Sequence, residues 1–165
     1  MHWRAVRISR LTVMAAAAKK AEARGGPRVL ILPGIMGSRL GRANRRARPE
    51  MLWIDPLRIG AGRLTELMLP QGRMLQPRGV LLFFYAKLKL KLQLDGCDAD
   101  FFPYDWRLGL DALGTALAAR ITADRRPVTL IAHSMGGLVA RAAAAKLAKR
   151  YVTKLIMLGD RKSVV

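Results

Sequence analysis

The spacing of apolar residues along the chain predicts four buried strands. Each run is short, apolar and bounded by proline, glycine or charged residues, which is typical of strands buried on both faces. Because long connections separate the runs, they favour a parallel sheet joined by crossover helices. The predicted strands are residues 29–32, 99–102, 128–132 and 153–158.

Helical periodicity predicts two of the connecting helices. The first begins at Asp111, a residue type that caps helices, and runs to about residue 122. The second follows Ser134 and runs from about residue 135 to 150. Both lie between predicted strands, as the crossovers of a parallel sheet should.

The stretch from residue 80 to 94 fits two patterns. Its strict alternation of lysine and leucine is typical of a half-buried strand, whereas Leu81, Tyr85, Leu88 and Leu92 lie on one face of a helix. We favour a helix because the preceding and following parallel strands need a crossover. The resulting order of elements predicts an α/β fold with a doubly wound, mostly parallel sheet.

The segments between the first strand and this helix predict little regular structure. Residues 41–49 form a basic, glycine- and proline-punctuated segment that we expect to be a loop. Residues 51–57 are apolar but interrupted by Pro56, which argues against a central strand and favours a short packed excursion. Residues 58–79 are expected to be loops near the mouth of a site.

Length and composition are those of one globular domain. The chain has 165 residues, of which 52% are hydrophobic, and a single cysteine, Cys97, which excludes a disulfide framework. No apolar run is long enough to span a bilayer, and the apolar run in residues 11–18 is too short for the core of a signal peptide. The native location cannot be read from the sequence.

The net charge of +19 raises the question of an anionic partner. The arginines lie in short groups without interleaved aromatic residues, zinc-ligand spacing or a glycine-rich phosphate loop, so we expect no specific nucleic-acid binding, metal or cofactor. Weak contact with an anionic membrane surface is the expected consequence of the charge.

Ser134 lies where an apolar β-branched run meets a helical pattern. Ala132 and Gly136 stand two residues before and after it, which is the spacing of the nucleophile elbow G-x-S-x-G with alanine in the first small position. Small residues are needed there because the helix folds back across the strand. We therefore expect Ser134 to be the catalytic nucleophile and the backbone N–H of Met135 to contribute to an oxyanion hole.

A second glycine-containing loop follows the first predicted strand. Gly34 and Gly37 mark places where the backbone approaches another group or turns with positive φ. An ordinary strand-to-helix turn is the structural alternative. The presence of an elbow serine favours a second oxyanion donor, the N–H of Ile35 or Met36, with Gly34 supporting the site.

Asp105 and Arg107 follow the predicted strand 99–102, at the edge of the sheet where α/β ligand sites form. We expect the two side chains to pair and to support the loop rather than to act in catalysis.

Four motifs stand out between residues 28 and 159: LPGIMGS (32–38), PYDWR (103–107), AHSMGG (132–137) and LIMLG (155–159). Together they resemble the lecithin:cholesterol acyltransferase-like lipases and acyltransferases of the α/β-hydrolase fold. The Tyr-Asp-Trp-Arg block is the most specific of them, and inositol deacylase-like lipases, which share the elbow, are the nearest rivals. The resemblance implies an acyl ester substrate, usually a lipid, a serine acyl-enzyme, and transfer to water or an alcohol.

The chain departs from that family after residue 159. The family carries the acid and base of its triad beyond the serine, in the order Ser, Asp, His, whereas the histidines here are His2 and His133, and none follows Ser134. We expect the His133 side chain to be directed away from the serine hydroxyl and not to be the general base. The chain then represents the amino-terminal part of a longer hydrolase and is expected to be nearly inactive alone.

The two ends of the chain are expected to lie outside the hydrolase domain, which is residues 27–159. Residues 1–26 form a basic amino-terminal extension, which we interpret as a frayed surface helix. Residues 160–165, DRKSVV, can be read as a translation of the sequencing adapter GATCGGAAGAGCGTCGTG, so we expect a non-native tail.

Two functions from different classes follow from these patterns. The first is a serine acyl-ester hydrolase or O-acyltransferase acting on lipid esters, with the triad acid and base outside this chain. The alternative is a non-catalytic basic protein that binds anionic membrane surfaces. We favour the first because charge accounts for adhesion but not for the elbow.

Overall fold

A computed structural model describes residues 25–42, 50–53, 60, 62, 65, 67–69 and 75–159. The expected amino-terminal extension, apart from Gly25 and Gly26, and the expected carboxyl-terminal tail lie outside this range. The strands are β1 (Arg28–Leu32), β2 (Ser38–Arg42), β3 (Glu50–Trp53), β4 (Leu75–Val80), β5 (Asp98–Phe101), β6 (Val128–His133) and β7 (Val152–Leu158). The helices are α1 (Leu82–Leu94), α2 (Leu110–Asp124), α3 (Met135–Ala144) and a 3-10 turn (Lys149–Tyr151).

The four strands that the sequence predicts form one parallel sheet. Its order is β5-β1-β6-β7, and every residue of the central strand β1 is buried. Helices cover both faces of the sheet. This arrangement confirms the predicted α/β fold class with a mostly parallel sheet, and it is consistent with an α/β-hydrolase-like fold.

Alternate residues of the central strands contact different helices. Leu30 and Leu130 point into a core shared with α2 and α3, whereas Val29, Ile31 and Ile131 face α1 through Tyr85 and Leu88 of that helix. The two-residue period of a strand therefore produces two apolar layers from one run. This explains why β1 and β6 are almost continuously apolar.

The order of the strands reverses direction between β1 and β6. From β1 the chain crosses to β5 on one side, and then returns to place β6 on the other side of β1. Leu32 and Ala132 are register partners, so both strands end at the same level. The loops that follow them, residues 33–37 and the turn at Ser134, thus emerge together at the topological switch point, where open α/β sheets bind ligands.

A second, antiparallel sheet of order β3-β2-β4 occupies segments expected to be loops. Residues 41–42 belong to β2 and residues 75–79 to β4, so the loop predictions are wrong there. Residues 51–53, which we expected to be a packed excursion and not a central strand, lie in the edge strand β3. Pro77 is compatible with β4 because this strand lies at the edge of the sheet. Leu40, Leu52 and Leu75, one from each strand, form a separate apolar core. This core stabilises three strands whose sequence patterns are individually weak.

The helices correct several boundaries. The stretch from residue 82 to 94 is helical, as we favoured, with Tyr85 as its buried residue. Helix α3 ends at Ala144 rather than near residue 150, because i to i+3 hydrogen bonds tighten the chain and Leu147 turns back onto the core. Asp111 is not the cap of α2. It lies in the first turn and pairs with Lys146, with 2.7 Å between the charged atoms.

An ion-pair cluster lies at the amino end of β1, opposite the switch point. The Arg28 side chain is buried and contacts Asp98 at 2.9 Å and Asp124 at 3.1 Å. Arg126 also contacts Asp98. Among the described helices, none is both long enough and apolar enough to cross a membrane.

Candidate active site

Ser134 occupies a strained turn between β6 and α3. Its backbone angles are φ +51° and ψ −121°, a combination that L-residues rarely adopt. The Ser134 N–H donates to the Leu158 carbonyl at 2.8 Å, and the Ser134 carbonyl accepts from the Gly137 N–H at 2.8 Å. The turn is therefore held by the neighbouring strand and by the first turn of the following helix.

The small residues beside Ser134 have a visible steric cause. A Cβ placed on Gly136 would lie 2.6 Å from the Pro33 carbonyl oxygen and 3.0 Å from Leu32 Cβ. Ala132 is completely buried in the sheet next to Leu32. A larger residue at position 136 would push the elbow away from the end of β1, and one at position 132 would have to fit into the packed core.

The loop after β1 lies directly against the elbow. The Gly37 N–H donates to the Gly34 carbonyl at 3.0 Å and closes a turn in which Met36, not glycine, has a positive φ of +59°. A Cβ on Gly34 would lie 2.9 Å from His133 Nδ1 and 3.4 Å from Ser134 Cβ. Glycine is therefore needed at position 34 because the backbone approaches the elbow closely, and not because of a positive φ.

Three backbone N–H groups are unengaged at this junction. Those of Ile35, Met36 and Met135 form no hydrogen bond with the part of the chain that the structure describes. The Gly34 N–H, in contrast, donates to the Tyr85 hydroxyl at 3.0 Å. From the sequence we expect the N–H groups of Ile35 or Met36 and of Met135 to stabilise an oxyanion. The fold places the two loops that carry them at adjacent ends of paired strands.

Aromatic residues hold the carbonyl groups of the loop. The Tyr104 hydroxyl donates to the Pro33 carbonyl at 2.6 Å, and burial raises the pKa of this phenol well above its ordinary value, as does nearby Tyr85. The indole N–H of Trp53 donates to the Met36 carbonyl at 2.7 Å. Because these bonds occupy carbonyl oxygens, they orient the loop without using the N–H groups of Ile35 and Met36.

A further set of bonds joins β2 to the loop after β5. The Tyr104 N–H donates to the Ser38 hydroxyl at 3.0 Å, and the Trp106 indole N–H donates to the Ser38 carbonyl at 3.2 Å. Trp53 and Trp106 meet edge to face with 5.8 Å between ring centroids. Tyr104 and Trp106 of the Tyr-Asp-Trp-Arg block therefore hold Ser38, the residue that directly follows the loop.

Asp105 and Arg107 form the pair that the sequence predicts. Arg107 donates to both carboxylate oxygens, at 2.8 Å from Nε and 2.5 Å from a terminal nitrogen, and both side chains are buried. Arg107 also donates to the Leu67 carbonyl at 3.1 Å. The carboxylate is therefore committed to Arg107 and to the loop, which fits a supporting role.

An apolar cavity of about 580 Å³ opens beside the elbow. The lining residues with polar side chains are Tyr85, His133 and Trp53, and each of them has a hydrogen-bond partner. Several lining side chains, including Ile35, Met36 and Phe84, are largely exposed. The other apolar lining residues are Ile31, Leu32, Leu81, Leu88, Ile131 and Leu158.

The histidine of the elbow turns towards α1. Its Nδ1 lies 3.0 Å from the Tyr85 hydroxyl, and no hydrogen bond between His133 and Ser134 is present among the described residues. This is the arrangement expected of a residue that precedes the elbow serine and is directed away from its hydroxyl.

Tyr85, Tyr104 and Trp53 were not singled out as site residues from the sequence. Tyr85 did carry a signal, because it is the member of the predicted apolar helix face with a polar tip, and a buried tyrosine hydroxyl needs a partner. Within the described ranges, no group of three or more His, Cys, Asp or Glu side chains could hold a metal ion.

Comparison with known proteins adds one finding. Residues 92–163, less than half of the chain, match a family model described as Alpha/beta hydrolase family. The match supports the alpha/beta hydrolase superfamily. It covers the carboxyl end of α1, β5, α2, the elbow and β7, and it suggests a hydrolase-type enzyme. No curated protein and no solved structure matches the chain.

Proposed function

We propose that this chain carries the nucleophile and oxyanion hole of a serine acyl-ester hydrolase or O-acyltransferase that acts on lipid esters. Ser134 is the nucleophile in this proposal. The Met135 N–H and the N–H of Ile35 or Met36 stabilise the oxyanion, while Gly34, Ala132, Gly136, Asp105 and Arg107 support the site.

The observation that carries the proposal is the backbone of Ser134. A serine at φ +51° between a parallel strand and a helix is held by its surroundings, since the free energy of such a conformation is about 1–3 kcal/mol unfavourable. The turn leaves the side chain exposed at the carboxyl edge of the sheet. A merely structural serine at a strand end needs neither feature.

The unengaged N–H groups support the oxyanion role. The Met135 N–H is at the first turn of α3, where the helix dipole favours negative charge. The turn at Met36 leaves two successive N–H groups without partners in the described chain on the neighbouring loop. Donors fixed in this way stabilise an alkoxide without reorganising when it forms.

The cavity supports a lipid acyl group as the part of the ester that binds. Its wall is formed mainly by leucine, isoleucine, methionine and phenylalanine side chains, which favour an alkyl chain over a polar one. His133 lines it, and the Ser134 turn adjoins His133 directly.

Among the described residues no hydrogen bond joins an imidazole to Ser134, and Nδ1 of His133 faces the Tyr85 hydroxyl. For this 165-residue chain we therefore expect slow acylation, detectable with activated reagents, and little turnover of ordinary esters.

Covalent labelling tests the proposal. A long-chain alkyl fluorophosphonate should label Ser134 and leave Ser9, Ser38 and Ser163 unlabelled, with the site identified by peptide mass spectrometry. Ser134→Ala should abolish labelling at every site. Equal labelling of the other serines, or no labelling of a folded chain, would refute the nucleophile assignment.

Contact with an anionic membrane is a second candidate function. The net charge of +19 and the exposure of Phe83 (92%) and Phe84 (67%) on α1 favour it. Binding to phosphatidylserine vesicles by the chain with Ser134→Ala, without labelling of the unmodified chain, would favour this function over the enzyme.

A further inference from the structure

The Tyr85 hydroxyl joins three elements at the candidate site. It lies 3.0 Å from the Gly34 nitrogen and 3.0 Å from His133 Nδ1, and Tyr85 is the buried residue of α1. A Cβ on Gly37 would lie 3.1 Å from the same oxygen. The loop after β1 is therefore shaped around this hydroxyl.

The Tyr85 hydroxyl can donate one hydrogen bond while it accepts another. The Gly34 N–H can only donate, so the Tyr85 oxygen is its acceptor. The hydroxyl proton then remains for an acceptor, and among the described residues the acceptor within reach is His133 Nδ1. Accepting that proton requires Nδ1 to be unprotonated and, in the neutral ring, Nε2 to carry the hydrogen.

We propose that Tyr85 is a positioning residue that fixes both the loop after β1 and the tautomer of His133. The Gly34 N–H is committed to Tyr85, so the donors offered to a ligand are those of Ile35 and Met36. His133 is held as the Nε2–H tautomer, with its ring in the cavity wall and no partner for Nε2 among the described residues.

The tautomer can be measured without any enzymatic activity. Nitrogen-15 spectra of the chain with His2→Gln contain one histidine. At about pH 9 we expect Nδ1 at the unprotonated shift and Nε2 at the protonated shift. Tyr85→Phe should shift both nitrogens towards an averaged mixture. An Nδ1–H tautomer in the unmodified chain would overturn the proposal, whether or not Tyr85→Phe folds.

A matched control separates this effect from general loosening of the loop. Tyr104→Phe removes another buried hydroxyl, which holds the adjacent Pro33 carbonyl and does not contact His133. We expect Tyr104→Phe to leave the tautomer unchanged. If Tyr104→Phe and Tyr85→Phe change it equally, Tyr85 has no specific role.

A second experiment measures the rate at which Ser134 is labelled, and it rests on the proposed function. Labelling of Ser134 by the fluorophosphonate should slow about tenfold in Tyr85→Phe through the first-order step, with the half-saturating reagent concentration unchanged. Tyr151→Phe, which makes the same chemical change away from the site, should label at the original rate. If Tyr85→Phe changes the tautomer but not the labelling step, the kinetic part of the positioning role is refuted. Failure of labelling in the unmodified chain would count against the proposed function instead.

Discussion

The Cβ of Ser134 lies 3.4 Å from the position that a Cβ would occupy on Gly34. The two residues are separated by 100 positions, yet they meet because β1 and β6 are paired and end together. Because these loops are in contact, one edge of the sheet presents both the Ser134 side chain and the unengaged N–H groups.

Substitution of Gly34 should therefore damage the site. In Gly34→Ala the new methyl would lie 2.9 Å from His133 Nδ1, so either the loop or the His133 ring must shift. We expect labelling of Ser134 to slow at least tenfold, with unfolding free energy lowered by about 1–3 kcal/mol. Gly60→Ala is the control, because a Cβ there meets no atom within 4 Å. Labelling of Gly34→Ala at the original rate would show that the loop does not contribute.

The cavity should select for acyl chain length. Leu158 lines the cavity and is 45% exposed, so Leu158→Trp should narrow the space at modest cost in stability. We expect acylation by a long-chain activated ester to fall about tenfold, and acylation by an acetyl ester to change less than about twofold. Leu138→Trp is a matched control, since Leu138 is 43% exposed and does not line the cavity. Equal losses with both esters would contradict an acyl-binding cavity.

The cluster at the other end of β1 should affect stability. Asp98 is buried and contacts Arg28 and Arg126, so Asp98→Ala leaves the buried Arg28 with a weaker set of partners. We expect a loss of about 3 kcal/mol in the free energy of unfolding, measured by urea denaturation. Lys91→Ala, which breaks an exposed pair with Asp95, should change it by less than about 1 kcal/mol. Similar losses in both variants would contradict this account.

The elements that the sequence predicted are those whose signals are local. Strands β1 and β6 are mainly apolar runs. The elbow is recognised from three residues within a five-residue stretch, Ala132, Ser134 and Gly136. Helix α1 was ambiguous because lysine and leucine alternate along it. The need for a crossover, which is a property of the fold rather than of the segment, decided the choice.

The elements that were missed depend on distant partners. Strand β4 contains Pro77 and glycine, and it is stable because it pairs with β2 and buries Leu75 against Leu40. The bond between Tyr85 and His133 joins residues 48 positions apart. No periodic pattern in the sequence indicates either contact, because each depends on how distant segments pack in the folded chain.

The most direct test of the central claim is the mass of the intact chain after reaction with a long-chain p-nitrophenyl ester. The account predicts one added acyl group, located on Ser134 by peptide mapping, formed with a burst of p-nitrophenol and absent in Ser134→Ala. Acylation at the same level in Ser134→Ala, or none in the folded unmodified chain, would contradict the assignment of Ser134 as an acyl-accepting nucleophile.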